Sequence, residues 1–91
     1  MKALETRMAE WHNRRYGGKV NVPATYRKLL EEIGEVGEAI MKDYGTVIEE
    51  IGDVIACLMH LARGIDPALP FEQIIELAVV KLEDRERNGK K

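Results

Sequence analysis

Apolar residues recur every three or four positions along most of the chain, the period of helices that bury one face. In residues 2 to 13 they are Leu4, Met8 and Trp11, which predicts a first helix turned inward through these three and ended by Gly17-Gly18. A second stripe of Tyr26, Leu29, Leu30, Ile33, Val36, Ile40 and Met41 predicts a helix that starts near Pro23 to Thr25 and runs to about Asp43, before Tyr44-Gly45-Thr46 breaks it. The next segment is apolar on more than one side through Ile48, Ile51, Val54, Ile55, Leu58, Met59 and Leu61. Thr46 followed by Glu49 has the form of a capping box, so a third helix is expected from Val47 to Arg63, stopped by Gly64. The second and third helices make a hairpin. After IDPALP, Phe71, Ile74, Ile75, Ala78, Val79 and Leu82 predict a fourth helix over residues 71–87 with a basic, frayed end.

No strand-period alternation competes, and the expected fold class is all-α. Between the first two helices, RRYGGKVNVP reads as a connector of about ten residues, longer than the usual helix-to-helix link. Gly34, Gly37 and Gly52 fall inside helices, each at a cost of about 1 kcal/mol against alanine, and are expected to mark close helix packing or room for a ligand.

Composition changes this picture in one respect. The 91 residues, 45% hydrophobic and 33% charged, define a single domain over residues 1–91 whose core is modest, so the chain gains by forming a dimer or larger assembly. A net charge of −2 gives no global attraction to nucleic acid or acidic membranes. The lone cysteine, Cys57, excludes a disulfide scaffold; with no signal-peptide core or membrane-length apolar run, the expected location is cytoplasmic.

Candidate chemistry lies in a hexapeptide written twice: EEIGEV at residues 31–36 and EEIGDV at residues 49–54. On a helix, positions three apart face the same way, which pairs Glu32 with Glu35 and Glu50 with Asp53. Such pairs usually carry a lysine or arginine one turn away. Arg27 and Lys28 precede Glu31, Lys28 also lies one turn from Glu32, and Lys42 follows Glu38, whereas Glu35, Glu50 and Asp53 have no such cation. Folding the hairpin is expected to bring the four acids together beside an apolar helix, where like charges raise their own pKa values or are neutralised by a cation. Oxygen ligands without thiolate or imidazole suit Mg²⁺ or Mn²⁺. The alternative is two solvated helix faces, outweighed by the duplication and the missing counterions. A ferritin-like di-iron bundle needs Glu-x-x-His pairs, and His60 follows Cys57 at that spacing instead.

EEIGE at residues 31–35 and EIGD at 50–53 resemble the EExxE and ExxD motifs of the MazG-type, all-α nucleoside triphosphate pyrophosphohydrolases. The likeness extends from about Lys28 through both halves of the hairpin, with the Lys81 to Arg85 segment, over about two thirds of the chain. It implies hydrolysis of an NTP or dNTP to the monophosphate and pyrophosphate, with Mg²⁺ held by Glu32, Glu35, Glu50 and Asp53 and with Glu31 as the base that takes a proton from water. It also implies a homodimer or homotetramer in which helices of neighbouring chains complete a four-helix bundle. Phosphoribosyl-ATP pyrophosphohydrolase, whose Ser-Tyr-Thr lead-in is matched only loosely by Pro-Ala-Thr-Tyr, is the enzymatic alternative. A noncatalytic helical oligomer is the other.

Lys81 and Arg85, one turn apart, are expected to meet substrate phosphates or to pair with Glu83, Asp84 and Glu86. Arg14, Arg15 and Lys19 offer the same choice in the connector. Trp11 supplies either a plane for a nucleobase or a core residue beside Leu4 and Met8, and Asn21 either reads a base edge or makes a turn. His12 and His60 stand too isolated in the sequence to be read as ligands, and Cys57 reads as a small core residue.

Overall fold

The computed structural model describes residues 2–89, which form four α-helices and no strand. They are α1 (Lys2–Tyr16), α2 (Val22–Lys42), α3 (Val47–Ile65) and α4 (Phe71–Arg87), with a 3₁₀ turn at Tyr44–Thr46 between α2 and α3. The all-α expectation is met. The basic end beyond Gly89 lies outside the described residues.

α2 begins with Pro23 in its first turn, where a missing N–H costs nothing, and Asn21 caps it: the Asn21 side-chain oxygen accepts from the Ala24 N–H at 3.0 Å. The expected capping box at α3 does not form. Thr46 Oγ1 instead donates to the Asp43 carbonyl at 3.0 Å, because the 3₁₀ turn delivers Thr46 to that carbonyl.

Three expected boundaries shift. α1 runs on through Arg14, Arg15 and Tyr16, and α2 starts at Val22, so the connector is confined to residues 17–21, where Gly17 and Gly18 adopt φ of +66° and +76°. α3 passes through Gly64 to Ile65. Gly64 works there as a point of close approach: a Cβ added to it would lie 2.5 Å from Val20 Cγ1, so the connector packs against bare helix backbone.

The hairpin of α2 and α3 is the main packed unit. Leu29 and Ala39 on α2 and Met59 on α3 are its buried apolar residues. α1 lies against α3, and its buried residue is His12, while Leu4 and Trp11 are exposed, contrary to the inward stripe expected for this helix. Arg63 ties the two together, donating to the Ala9 carbonyl at 3.4 Å and to Asn13 Oδ1 at 3.0 Å. α4 is fixed near its start. Pro70 offers no side-chain cap, and the first-turn N–H of Glu72 is met by Glu5 Oε1 of α1 at 2.9 Å. Past Phe71 and Ile74 the helix is exposed.

Large apolar side chains remain uncovered on the hairpin, among them Leu30, Ile33, Ile40, Ile48, Ile51 and Ile55. Gly34, Gly37 and Gly52 have no neighbouring atom within 4 Å of an added Cβ, so within one chain they mark open faces instead of close packing. No helix among the described residues is long and apolar enough to cross a membrane.

Candidate metal centre and adjoining cavity

Where the hairpin folds back, Glu32 and Glu35 of α2 meet Glu50 of α3, with one carboxylate oxygen from each lying within 4.8 Å of the others. Asp53 lies one turn beyond Glu50, is exposed, and lines a neighbouring cavity with Glu32 without joining this triplet. Three of the four expected acids therefore converge, and the fourth faces the same cavity. Glu31 is exposed and belongs to neither the triplet nor the cavity lining.

Glu32 is only 8% exposed, an unusual degree of burial for a carboxylate. Its Oε1 pairs with Lys28 Nζ at 3.2 Å, the one acid–lysine pairing of this face that forms among the described residues, and Lys28 is held above its ordinary pKa by that bond and charge. The pairings expected of Glu31 with Arg27 or Lys28 and of Glu38 with Lys42 are not made within the described residues. Glu32 Oε2 and Glu50 Oε2 are buried with no hydrogen-bond partner. Glu35 is pushed above the usual carboxylate range, first because hydrogen bonding toward Glu32 favours its protonated form, then by the Glu32 charge, by desolvation and by Glu50. Two orphaned anionic oxygens and a neighbour driven toward protonation show a cluster short of positive charge. Hard oxygen donors at this spacing fit a divalent cation.

The cavity beside the cluster has a volume of about 550 Å³. α2 contributes Thr25, Lys28 and Glu32 to it, and α3 contributes Asp53, Cys57 and His60, each set spaced by one helical turn along one face. Trp11, His12 and Tyr16 of α1 close another side, with Lys19 and Asn21 of the connector. The Cys57 thiol donates to the Thr25 carbonyl at 3.6 Å and stays protonated at neutral pH, its pKa raised by burial and then by the Glu32 charge. Cys57 is thus a half-buried cavity residue, not a core one. Trp11 and Asn21 both reach the cavity, although the Asn21 oxygen is already engaged as the α2 cap.

Lys81 and Arg85 do not line this cavity. Neither forms an ion pair among the described residues, where α4's own pairing is between Arg87 and Asp84. Arg14 and Arg15 are exposed on the last turn of α1, and of the connector cations only Lys19 lines the cavity.

Sequence reasoning missed His12 and His60. They stand on different helices, and only the packing of α1 on α3 brings their rings to a centroid distance of 4.3 Å. A signal was present in retrospect, since His60 continues the one-turn series that begins at Asp53 and Cys57.

The described residues are thus all-helical, with a central hairpin that presents clustered carboxylates beside a ligand-sized cavity. Residues 21–89 match the family model of the MazG nucleotide pyrophosphohydrolase domain, and the chain belongs to that family. The match takes in α2, α3 and α4 and leaves α1 outside it. No curated protein and no solved structure gives a significant match to the chain.

Proposed function

We propose that the chain is a Mg²⁺-dependent pyrophosphohydrolase that converts an NTP or dNTP to its monophosphate and pyrophosphate. Membership of the family supports nucleotide pyrophosphohydrolysis. The observation that carries the cation is the triplet of Glu32, Glu35 and Glu50 with two buried oxygens left unmatched. Glu32, Glu35 and Glu50 hold the ion, and Asp53, facing the same cavity, completes the set. A Mg²⁺ (or Mn²⁺) ion held by these residues would supply positive charge to neutralise the phosphate oxygens.

Water attacks the α-phosphorus, a new P–O bond forms, and the bond to the α–β bridging oxygen breaks, so pyrophosphate leaves with that oxygen. Glu31 is assigned to take the proton released by the water. Lys81 and Arg85 are assigned to the phosphates. Because they lie off the cavity of their own chain, that role places α4 of one copy beside the cavity of another.

Residues 1–91 act as one domain, and the functional unit is a homodimer or a homotetramer in which the bare hairpin faces pair to complete a four-helix bundle. The uncovered isoleucines and the open glycine positions support that assembly.

The test is pyrophosphate release over all NTPs and dNTPs, with and without Mg²⁺, and with phosphoribosyl-ATP alongside. Glu35→Ala or Asp53→Ala should lower turnover by about a hundredfold or more while helix content is kept. Glu31→Gln should spare metal binding and depress the rate. Full turnover in EDTA would remove the metal from the reaction, and no release from any substrate would leave a noncatalytic oligomer.

A further inference from the structure

His12 and His60, the chain's two histidines, are both buried, at 4% and 8% exposure, and both line the cavity that Glu32 and Asp53 share. Their rings are tilted by 31°, and Tyr16 lies 4.8 Å from the His60 ring at 33°, so three flat side chains form a continuous aromatic wall. Each imidazole has a buried Nδ1 with no hydrogen-bond partner. Both rings are uncharged at neutral pH: His12 is lowered to about 4 by burial, then by His60 and Arg63, and His60 is lowered by burial and then by Arg63. A neutral imidazole carries one donor and one acceptor.

Helix geometry sets this wall apart from the carboxylates. Asp53 and His60 lie on one face of α3, and at 1.5 Å per residue their backbones are about 10 Å apart along the axis. That separation is comparable to the length of a nucleoside monophosphate. An ordinary core histidine would have its nitrogens met by protein groups and would not front an open cavity. Flat faces combined with unmet donors and acceptors suit a planar heteroaromatic ring with a polar edge.

We propose that His12, His60 and Tyr16 form the nucleobase subsite, in which the base packs on the aromatic wall and the two imidazoles read its polar edge. The inference rests on the hydrolase reading for the identity of the ligand, and it assigns specificity to residues that bear no part of the phosphate chemistry. Trp11, which meets His12 edge-on at 5.3 Å, sits at the rim of the subsite and reports on it.

The experiment uses calorimetry with nucleoside monophosphates in EDTA, with inorganic tripolyphosphate plus Mg²⁺ as the ligand without a base, and a kinetic comparison across bases. The variants are His12→Phe and His60→Phe, which keep the flat wall, and His60→Leu, which removes it. Wild-type protein should bind one monophosphate best. The Phe variants should change the ratio of kcat/KM between bases by tenfold or more, mainly through KM, and leave tripolyphosphate binding unchanged. His60→Leu should weaken every monophosphate. If that variant does not fold, the two Phe variants decide the matter.

Base ratios unchanged in both Phe variants, or monophosphates that do not bind in EDTA, overturn the subsite. Monophosphate binding that is sensitive to His60 supports it even if no triphosphate is hydrolysed, in which case the hydrolase reading fails alone.

Discussion

Glu35 in the acidic cluster and His12 in the adjoining cavity both have charged forms disfavoured by folding, for different reasons. Glu35 suffers from its acidic neighbours. Its pKa is raised in the folded state, so the fold binds more protons than the unfolded chain as pH passes through that window. Stability without metal is therefore greatest below the ordinary carboxylate value and falls as pH rises through the folded pKa. Glu35→Gln should raise the melting temperature at pH 7 in EDTA and abolish the further rise that Mg²⁺ gives the wild type, as read by thermal melts with and without the ion.

His12 is opposite in sign. Its pKa drops from 6.5 to about 4, so between those values the unfolded chain takes up a proton that the folded chain refuses. That stability is fully present above pH 6.5 and is lost as pH falls toward 4. Urea denaturation of His12→Phe should show a flatter decline between pH 7 and 5 than the wild type. At this scale the clustering of Glu32, Glu35 and Glu50 was legible in the sequence because repetition and absent counterions can be counted. The imidazole wall was not, since neither histidine has a chemical neighbour along the chain and their pairing is made by packing.

At the scale of the elements, helix identities followed from apolar period, and the hairpin from the Tyr44-Gly45-Thr46 break. The ends were harder to read, because side-chain caps and crossings decide them. Thr46 meets Asp43 where a capping box was expected, and Gly64 lies inside a helix where a stop was expected, kept small by Val20. Gly64→Ala should gain about 1 kcal/mol of helix propensity and lose more than that to the clash, for a net destabilisation of about 1–2 kcal/mol in urea unfolding. The inward face of α1 was misread for a related reason. Its apolar stripe at Leu4, Met8 and Trp11 is weak, and the tie from Arg63 to Ala9 and Asn13 turns the helix so that His12 is covered.

For the whole molecule, the decisive feature is how little apolar surface one chain hides. Leu29, Ala39 and Met59 are buried, while isoleucines along both arms of the hairpin are exposed. On the assembly proposed above, a 91-residue chain in that state would draw much of its stability from association. The midpoint of urea unfolding should therefore rise with protein concentration, and sedimentation should give a dimer or tetramer at micromolar concentration; a concentration-independent midpoint with a monomeric mass would falsify the assembly. Gly52→Ala separates the two cases further. In an isolated helix it stabilises by about 1 kcal/mol, whereas against a partner's backbone the added methyl weakens association.

Cys57 has a practical consequence. It is the chain's single thiol, it faces the cavity midway between Asp53 and His60 on α3, and it is bonded to the Thr25 carbonyl. Its thiol opens onto the space a ligand would fill, and its raised pKa makes the uncatalysed labelling slow. The rate of that modification becomes a built-in gauge of occupancy. Nucleotide should slow labelling in proportion to saturation, measured by intact mass, with no reporter group introduced by mutation.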